Sequence, residues 1–142
     1  MQITRQSEYA IKILIELAKA EPGQLVSSRM ISEQQGIPEV FLQKTVQQLG
    51  RAGLVTTQRG IQGGVRLAVA ASDITIADVL QAIEGPTAIN PCLGAGFACP
   101  NSGFCQVRRV LHRAQEAMYK ELNRETIADI ASGKIWAHEL ND

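Results

Sequence analysis

Apolar residues recur at helical spacing over residues 7–20, where Tyr9, Ile11, Ile13, Leu14, Leu17 and Ala18 alternate with Lys12, Glu16 and Lys19. The pattern predicts a first amphipathic helix, ended by Pro22 and Gly23. Ser27 or Ser28 offers a capping hydroxyl to a short second helix that carries Met30 and Ile31 and stops at Gly36. Ile37 and Pro38 make the turn, with Pro38 suited to a first helical position. Val40, Phe41, Leu42, Val46 and Leu49 then predict a third helix from Glu39 to the glycines at 50 and 53. The reading is helix, tight turn, helix.

Downstream the period changes. Residues 54–58 are rich in β-branched side chains and residues 65–69 alternate, which predicts two strands. Between them lie Arg59, Gly60, Ile61, Gln62, Gly63 and Gly64, a glycine-rich reversal that predicts a β-hairpin with a basic tip. Ser72 and Asp73 signal a helix over residues 75–84, ended by Gly85 and Pro86. Residues 86–104 have no period and read as a long loop. The longest helical pattern follows over residues 105–124, where Val107, Val110, Leu111, Ala114, Ala117, Met118 and Leu122 step by three and four. Its apolar face exceeds what a small domain can cover, so Val107, Val110, Leu111, Ala114, Met118 and Leu122 are expected to pair two subunits. A shorter helix over residues 126–131 ends at Gly133.

The expected fold is mainly α with a small β-hairpin: a winged helix-turn-helix domain over residues 1–84, a cysteine-rich loop over 85–105, and a dimerisation helix with a C-terminal tail over 106–142. Composition agrees with a globular chain, with 45% hydrophobic and 20% charged residues in 142. No apolar run is long enough to cross a membrane and no signal peptide is read, so a cytoplasmic protein is expected. The net charge of zero hides an asymmetry, because residues 1–66 carry +3 and the remainder −3. A positive N-terminal half fits a polyanionic partner.

In a winged helix-turn-helix the second helix of the pair enters the major groove and the hairpin touches backbone or minor groove. The expected contacts to double-stranded DNA are Ser28, Val40, Gln43, Lys44, Gln47 and Arg51 around that helix, and Arg59, Gly60, Gly63, Gly64 and Arg66 on the wing. Glutamine amides read adenine edges, and lysine and arginine meet guanine or phosphate. Cys92, Cys99 and Cys105 are the only cysteines and follow a C-x6-C-x5-C spacing. An odd, clustered set favours a metal over disulfides. Zinc ribbons pair their cysteines as C-x2-C, which is missing, so structural zinc fits less well. The histidines are His112 and His138, and no catalytic motif stands out, so no enzyme is expected.

The start Met-Gln-Ile-Thr with Tyr9 and Ala10, the segment from Gln48 to Val55, the Arg-Gly-x-x-Gly-Gly wing and the helix ending at Glu84 resemble the bacterial winged-helix iron-sulfur regulators typified by IscR, NsrR and RirA. The resemblance covers nearly the whole chain. It implies a homodimeric transcriptional regulator, a repressor on a palindromic operator, sensing iron, redox or nitric oxide status through a 2Fe-2S or 4Fe-4S cluster on the three cysteines. IscR-like members carry a histidine three positions after the last cysteine. Arg108 stands there and cannot be a ligand, because its guanidinium stays protonated. His112, about two turns beyond Cys105, reads as a surface or dimer-seam residue. NsrR-like members donate an N-terminal carboxylate from the other subunit, and Glu8 occupies that place. Two other readings stay open: the same fold using its cysteines as a thiol switch or zinc site, and a small iron-sulfur redox protein without DNA.

Overall fold

The computed structural model describes residues 2–135; His138 and the rest of the 136–142 tail lie outside the described residues. Helix α1 spans Arg5–Lys19 and is capped by Thr4, whose Oγ1 accepts from the Ser7 N–H at 3.3 Å. Its apolar period buries Ala10, Ile13, Leu14 and Leu17. Helix α2, Ser28–Gln35, is capped by Ser27 rather than Ser28 and ends at Gly36, whose φ of 64° is the left-handed conformation that closes a helix. Helix α3, Glu39–Arg51, buries Leu42, Thr45, Val46 and Leu49. Pro38 precedes this helix instead of opening it: its ψ of 137° is extended, and its carbonyl accepts from the Leu42 N–H at 2.9 Å.

Strands β1, Val55–Gln58, and β2, Gly64–Leu67, pair antiparallel with Thr56 opposite Arg66 and Gln58 opposite Gly64. The second strand is shorter than expected. Past Leu67 only Ala68 keeps the register, its N–H donating to the Leu54 carbonyl at 2.9 Å. A third segment completes the wing, because Val26 and Val65 exchange two backbone hydrogen bonds of 2.8 Å each. Val55 and Val65 turn inward and are buried, so the hairpin is sealed to the helical core by its apolar face.

A 3-10 turn at Ala71–Asp73 leads to helix α4, Ile76–Glu84, whose start is set by a capping box between Thr75 and Asp78. Residues 85–105 are irregular apart from a 3-10 turn at Pro91–Leu93. Helix α5, Gln106–Leu122, follows, and then helix α6, Ile127–Ala131, which starts with a second capping box from Thr126 and Asp129.

Helix α6 alters the expected division of the chain. Ile127 is fully buried in the same core as Ile13, Leu49 and Ile74, and its N–H donates to the Ile74 carbonyl at 2.8 Å. The segment expected to belong with the dimerisation helix therefore returns to the winged unit, and α5 is an excursion out of it. The physical cause is Ile127 itself, a fully buried apolar residue on a helix that packs against α1 and the Ala71–Asp73 turn. No helix among the described residues is long and apolar enough to cross a membrane.

Helix α5 buries no residue fully. Leu111, Met118 and Leu122 are half-buried against their own chain, whereas Val107 is 66% and Val110 54% exposed and Ala114 and Ala117 are open to solvent. The expected dimerisation set thus splits between two adjacent stripes. Ala117 extends the outward stripe, and Leu111, Met118 and Leu122 face inward.

Candidate nucleic-acid interface and cysteine loop

The solvent face of α3 presents Val40, Gln43, Lys44, Gln47 and Arg51, all exposed, with Val40 at 79%. The helix is held by its other side. Leu42, Thr45, Val46 and Leu49 are buried on that side, and Gln6 Nε2 on α1 donates to Gln48 Oε1. Gln48 is therefore engaged within the protein, which separates it from the exposed glutamines at 43 and 47.

A groove of about 810 Å³ runs between α3 and the wing, and Ser28, Gln43, Gln47, Arg51, Arg59, Gly60, Gly63 and Gly64 all line it. The fold thus gathers side chains from three elements onto one surface. Residues 40–72 include Lys44, Arg51, Arg59 and Arg66 and not one carboxylate, and none of the four makes an ion pair among the described residues. Charge segregated in this way favours a polyanion. Of the remaining expected contacts, Val40 projects from the start of α3. Lys44 lies on the opposite flank of that helix, beside Tyr9 and Phe41. Arg66 crosses the hairpin, and its Nε donates to Thr56 Oγ1 at 3.3 Å.

The wing glycines have a structural cause of their own. A Cβ on Gly63 would stand 2.0 Å from the Gln58 carbonyl oxygen, and one on Gly64 would stand 2.5 Å from that of Val26. Gly60 has φ of 112°. These residues shape the wing through close backbone approach, whatever their backbones touch across the groove. Ile61 at the tip is fully exposed and has no part in the expected contact set.

A family profile described as "Rrf2: Iron-dependent Transcriptional regulator" matches residues 3–133. The chain belongs to the Rrf2 family. It is 35% identical over 130 residues to Protein rrf2 of Nitratidesulfovibrio vulgaris, covering 92% of this chain and 87% of that one. Among solved structures, IscR of T. potens superposes with a TM-score of 0.74 at 25% identity, over 95% of this chain and 89% of the other. CymR of B. subtilis, described as a global cysteine regulator, gives 0.70 at 27% identity over 93% and 97%. This Rrf2-family chain is a DNA-binding winged-helix transcriptional regulator, and its relatives are regulators rather than enzymes. Membership sets aside the reading of a redox carrier without DNA.

The three cysteines of the Rrf2-family chain are half-buried and free of disulfides. Cys105 is the cap of α5, and its Sγ accepts from the Arg108 N–H at 3.4 Å. Asn90 Nδ2 donates to Cys92 Sγ at 2.9 Å, and Arg108 Nε donates to the Cys92 carbonyl at 3.3 Å. Arg108 thus ties the Cys92 segment of the loop to the first turn of α5. Further straps come from Tyr119 Oη, which donates to the Thr87 carbonyl at 2.7 Å, and from Gln115 Oε1, which accepts from the Ile89 N–H at 3.0 Å. The donor set suits a soft iron-sulfur centre, since thiolates are its usual ligands and N–H groups aimed at sulfur tune it. Among the described residues, no three His, Cys, Asp or Glu side chains converge as a metal site.

Glu8 is exposed and pairs with Lys12 at 2.8 Å within its own helix. The hydrogen bond and charge of Lys12, with a contribution from Arg5, lower its pKa below 4.5. His112 is exposed and lies 3.9 Å from Glu116. One polar contact has no local signature in the sequence. Glu84, the last residue of α4, accepts from Ser7 Oγ at 2.6 Å and from Thr4 Oγ1, and these bonds lower its pKa below 4.5. The residues are 77 and 80 positions apart, so no periodicity could have paired them.

Proposed function

We propose that this Rrf2-family regulator acts as a homodimer on a palindromic operator and represses transcription according to the state of an iron-sulfur cluster held by Cys92, Cys99 and Cys105. The observation that carries the reading is the seating of the cysteine loop. Cys105 caps α5, and Arg108 on that helix holds the Cys92 carbonyl, so the first and last cysteines are both joined to the helix whose apolar stripe is open. A cluster would supply a redox- and ligand-sensitive cross-link between the loop's sulfur atoms.

The chain's own residues do the rest. Val107, Val110, Ala114 and Ala117 present an outward apolar stripe for a second protomer. Pairing α5 with its copy sets the separation of two α3 helices, and half-site spacing on DNA reads that separation. Glu8 of a second protomer is the proposed fourth ligand, and in that role it would exchange its bond to Lys12 for the metal. Loop states with different contacts to the dimer then differ in DNA affinity.

Anaerobic purification followed by iron and sulfide analysis tests the reading. About stoichiometric iron and sulfide, both lost in the triple Cys→Ser protein, is the expected result. Protein free of both that binds operator equally well would overturn it. A second reading, a thiol switch without metal, is supported by the similarity to CymR of B. subtilis, described as a global cysteine regulator, and to the oxidized form of CymR from Staphylococcus aureus. It predicts operator binding that changes with thiol oxidation in iron-free protein.

A further inference from the structure

We propose that Arg5 and Lys44 form a second phosphate clamp, gripping the DNA backbone on the side of α3 opposite the wing. The placement follows from the faces of α3. Gln43 and Gln47 line the groove on the wing side. Lys44 sits on the other margin of the exposed face, next to Phe41 and Gln48, and those two residues touch α1 through Tyr9 and Gln6. Lys44 stands about 100° around the helix from Gln43, turned toward Phe41 on the α1 side, where it lines a recess with Arg5 and Tyr9.

When α3 occupies a major groove its two flanks face the two sugar-phosphate strands that border it. The wing side meets one strand with Arg59. On the other side a recess of about 150 Å³ is bounded by Arg5, Gln6, Tyr9, Phe41, Lys44 and Thr45. The rings of Tyr9 and Phe41 lie 6.3 Å apart at 41°, and Phe41 is 54% exposed. An aromatic wall flanked by two cations suits one sugar-phosphate unit, with apolar contact to the deoxyribose and charge on the phosphate.

Nearby carboxylates leave both cations available. Glu84 is engaged with Thr4 and Ser7, and Glu8 pairs with Lys12, although Arg5 also contributes to its field. Glu39, at the start of α3, makes no ion pair among the described residues. Arg5 and Lys44 are exposed and make none either. The clamp rests on the family's DNA-binding role and adds a contact made by α1, outside the helix-turn-helix and wing.

The test uses the full chain and a duplex selected from a random-sequence library by the wild-type protein. Arg5→Gln and Lys44→Gln should each lower the slope of log affinity against log salt by about 1. Each should also weaken the selected duplex and a scrambled duplex by the same factor, because phosphate contacts carry no sequence information. Neutralising single phosphates as methylphosphonates should locate one position at which the loss is absent in both variants. Circular dichroism checks that the variants are folded. Unchanged slopes in folded variants overturn the clamp, as does a Lys44→Gln loss confined to the selected duplex, which would mark a base contact. Wild-type protein that selects no duplex at all would count against the DNA-binding reading instead.

Discussion

Gly64→Ala is expected to unseat the wing from the helical core. The new methyl carbon would stand 2.5 Å from the Val26 carbonyl oxygen and 2.8 Å from its carbon, and both obstacles are backbone. Relief requires the Val26 segment to move, which strains the two 2.8 Å hydrogen bonds it exchanges with Val65. Losing both would cost about 1–3 kcal/mol at the net worth of such bonds, and incomplete relief leaves an overpacking cost of similar size. A loss of about 2–3 kcal/mol corresponds to a fall of about 5–10 °C in melting temperature for a chain near this size. Gly50→Ala provides the opposite case. Its Cβ would meet only the Val55 carbonyl oxygen at 3.9 Å, so replacing a glycine inside α3 should stabilise by about 0.5–1 kcal/mol. Thermal melts of the two variants beside wild type decide the matter. A Gly64→Ala protein that melts with wild type, or shifts in the same direction as Gly50→Ala, would refute the steric reasoning.

Other outcomes follow from single contacts. Ile127→Ala should cost about 2–5 kcal/mol, measured by urea unfolding, because it opens a cavity where α6 meets the winged core; a change under about 1 kcal/mol would mean that α6 docks only loosely. Glu84→Gln should cost about 1 kcal/mol near neutral pH by weakening the bonds from Ser7 and Thr4. The Glu84 carboxyl has a folded pKa below its ordinary 4.5, so its contribution is complete above that value and is lost as pH falls through the lowered one. Wild type and Glu84→Gln should therefore converge in stability on acidification, and a constant gap would contradict the assignment. Arg108→Ala should speed amide hydrogen exchange across residues 90–94 by freeing the Cys92 carbonyl, without altering exchange in α1. Arg59→Ala should lower the salt slope of DNA binding by about 1 with cysteine chemistry unchanged, as titration at several salt concentrations would show.

Much of the fold was legible along the chain because its signals are local. The apolar periods of α1, α3 and α5, the serine cap of α2, the glycine at 36 and the glycine-rich reversal of the wing each act within a few residues. The grouping of the candidate contact residues was readable for the same reason: a helix period places Gln43, Gln47 and Arg51 together, and the hairpin brings Arg59 to the same groove. The three cysteines were visible as a spacing, which specifies thiolate chemistry but not the distance between the sulfur atoms.

Contacts between distant segments belonged to the tertiary structure alone. The bonds of Glu84 to Ser7 and Thr4, the Val26–Val65 bridge, and the burial of Ile127 where α6 meets α1 and the Ala71–Ile74 segment join residues whose separation leaves no periodic trace. The same holds for α5, whose apolar arc reads as one face in the sequence but is divided by packing into an inward stripe and an open one. Hydrophobic spacing sets which residues must leave water. Only the folded chain decides which neighbour covers each of them, because that choice depends on the competing shapes of all the elements at once.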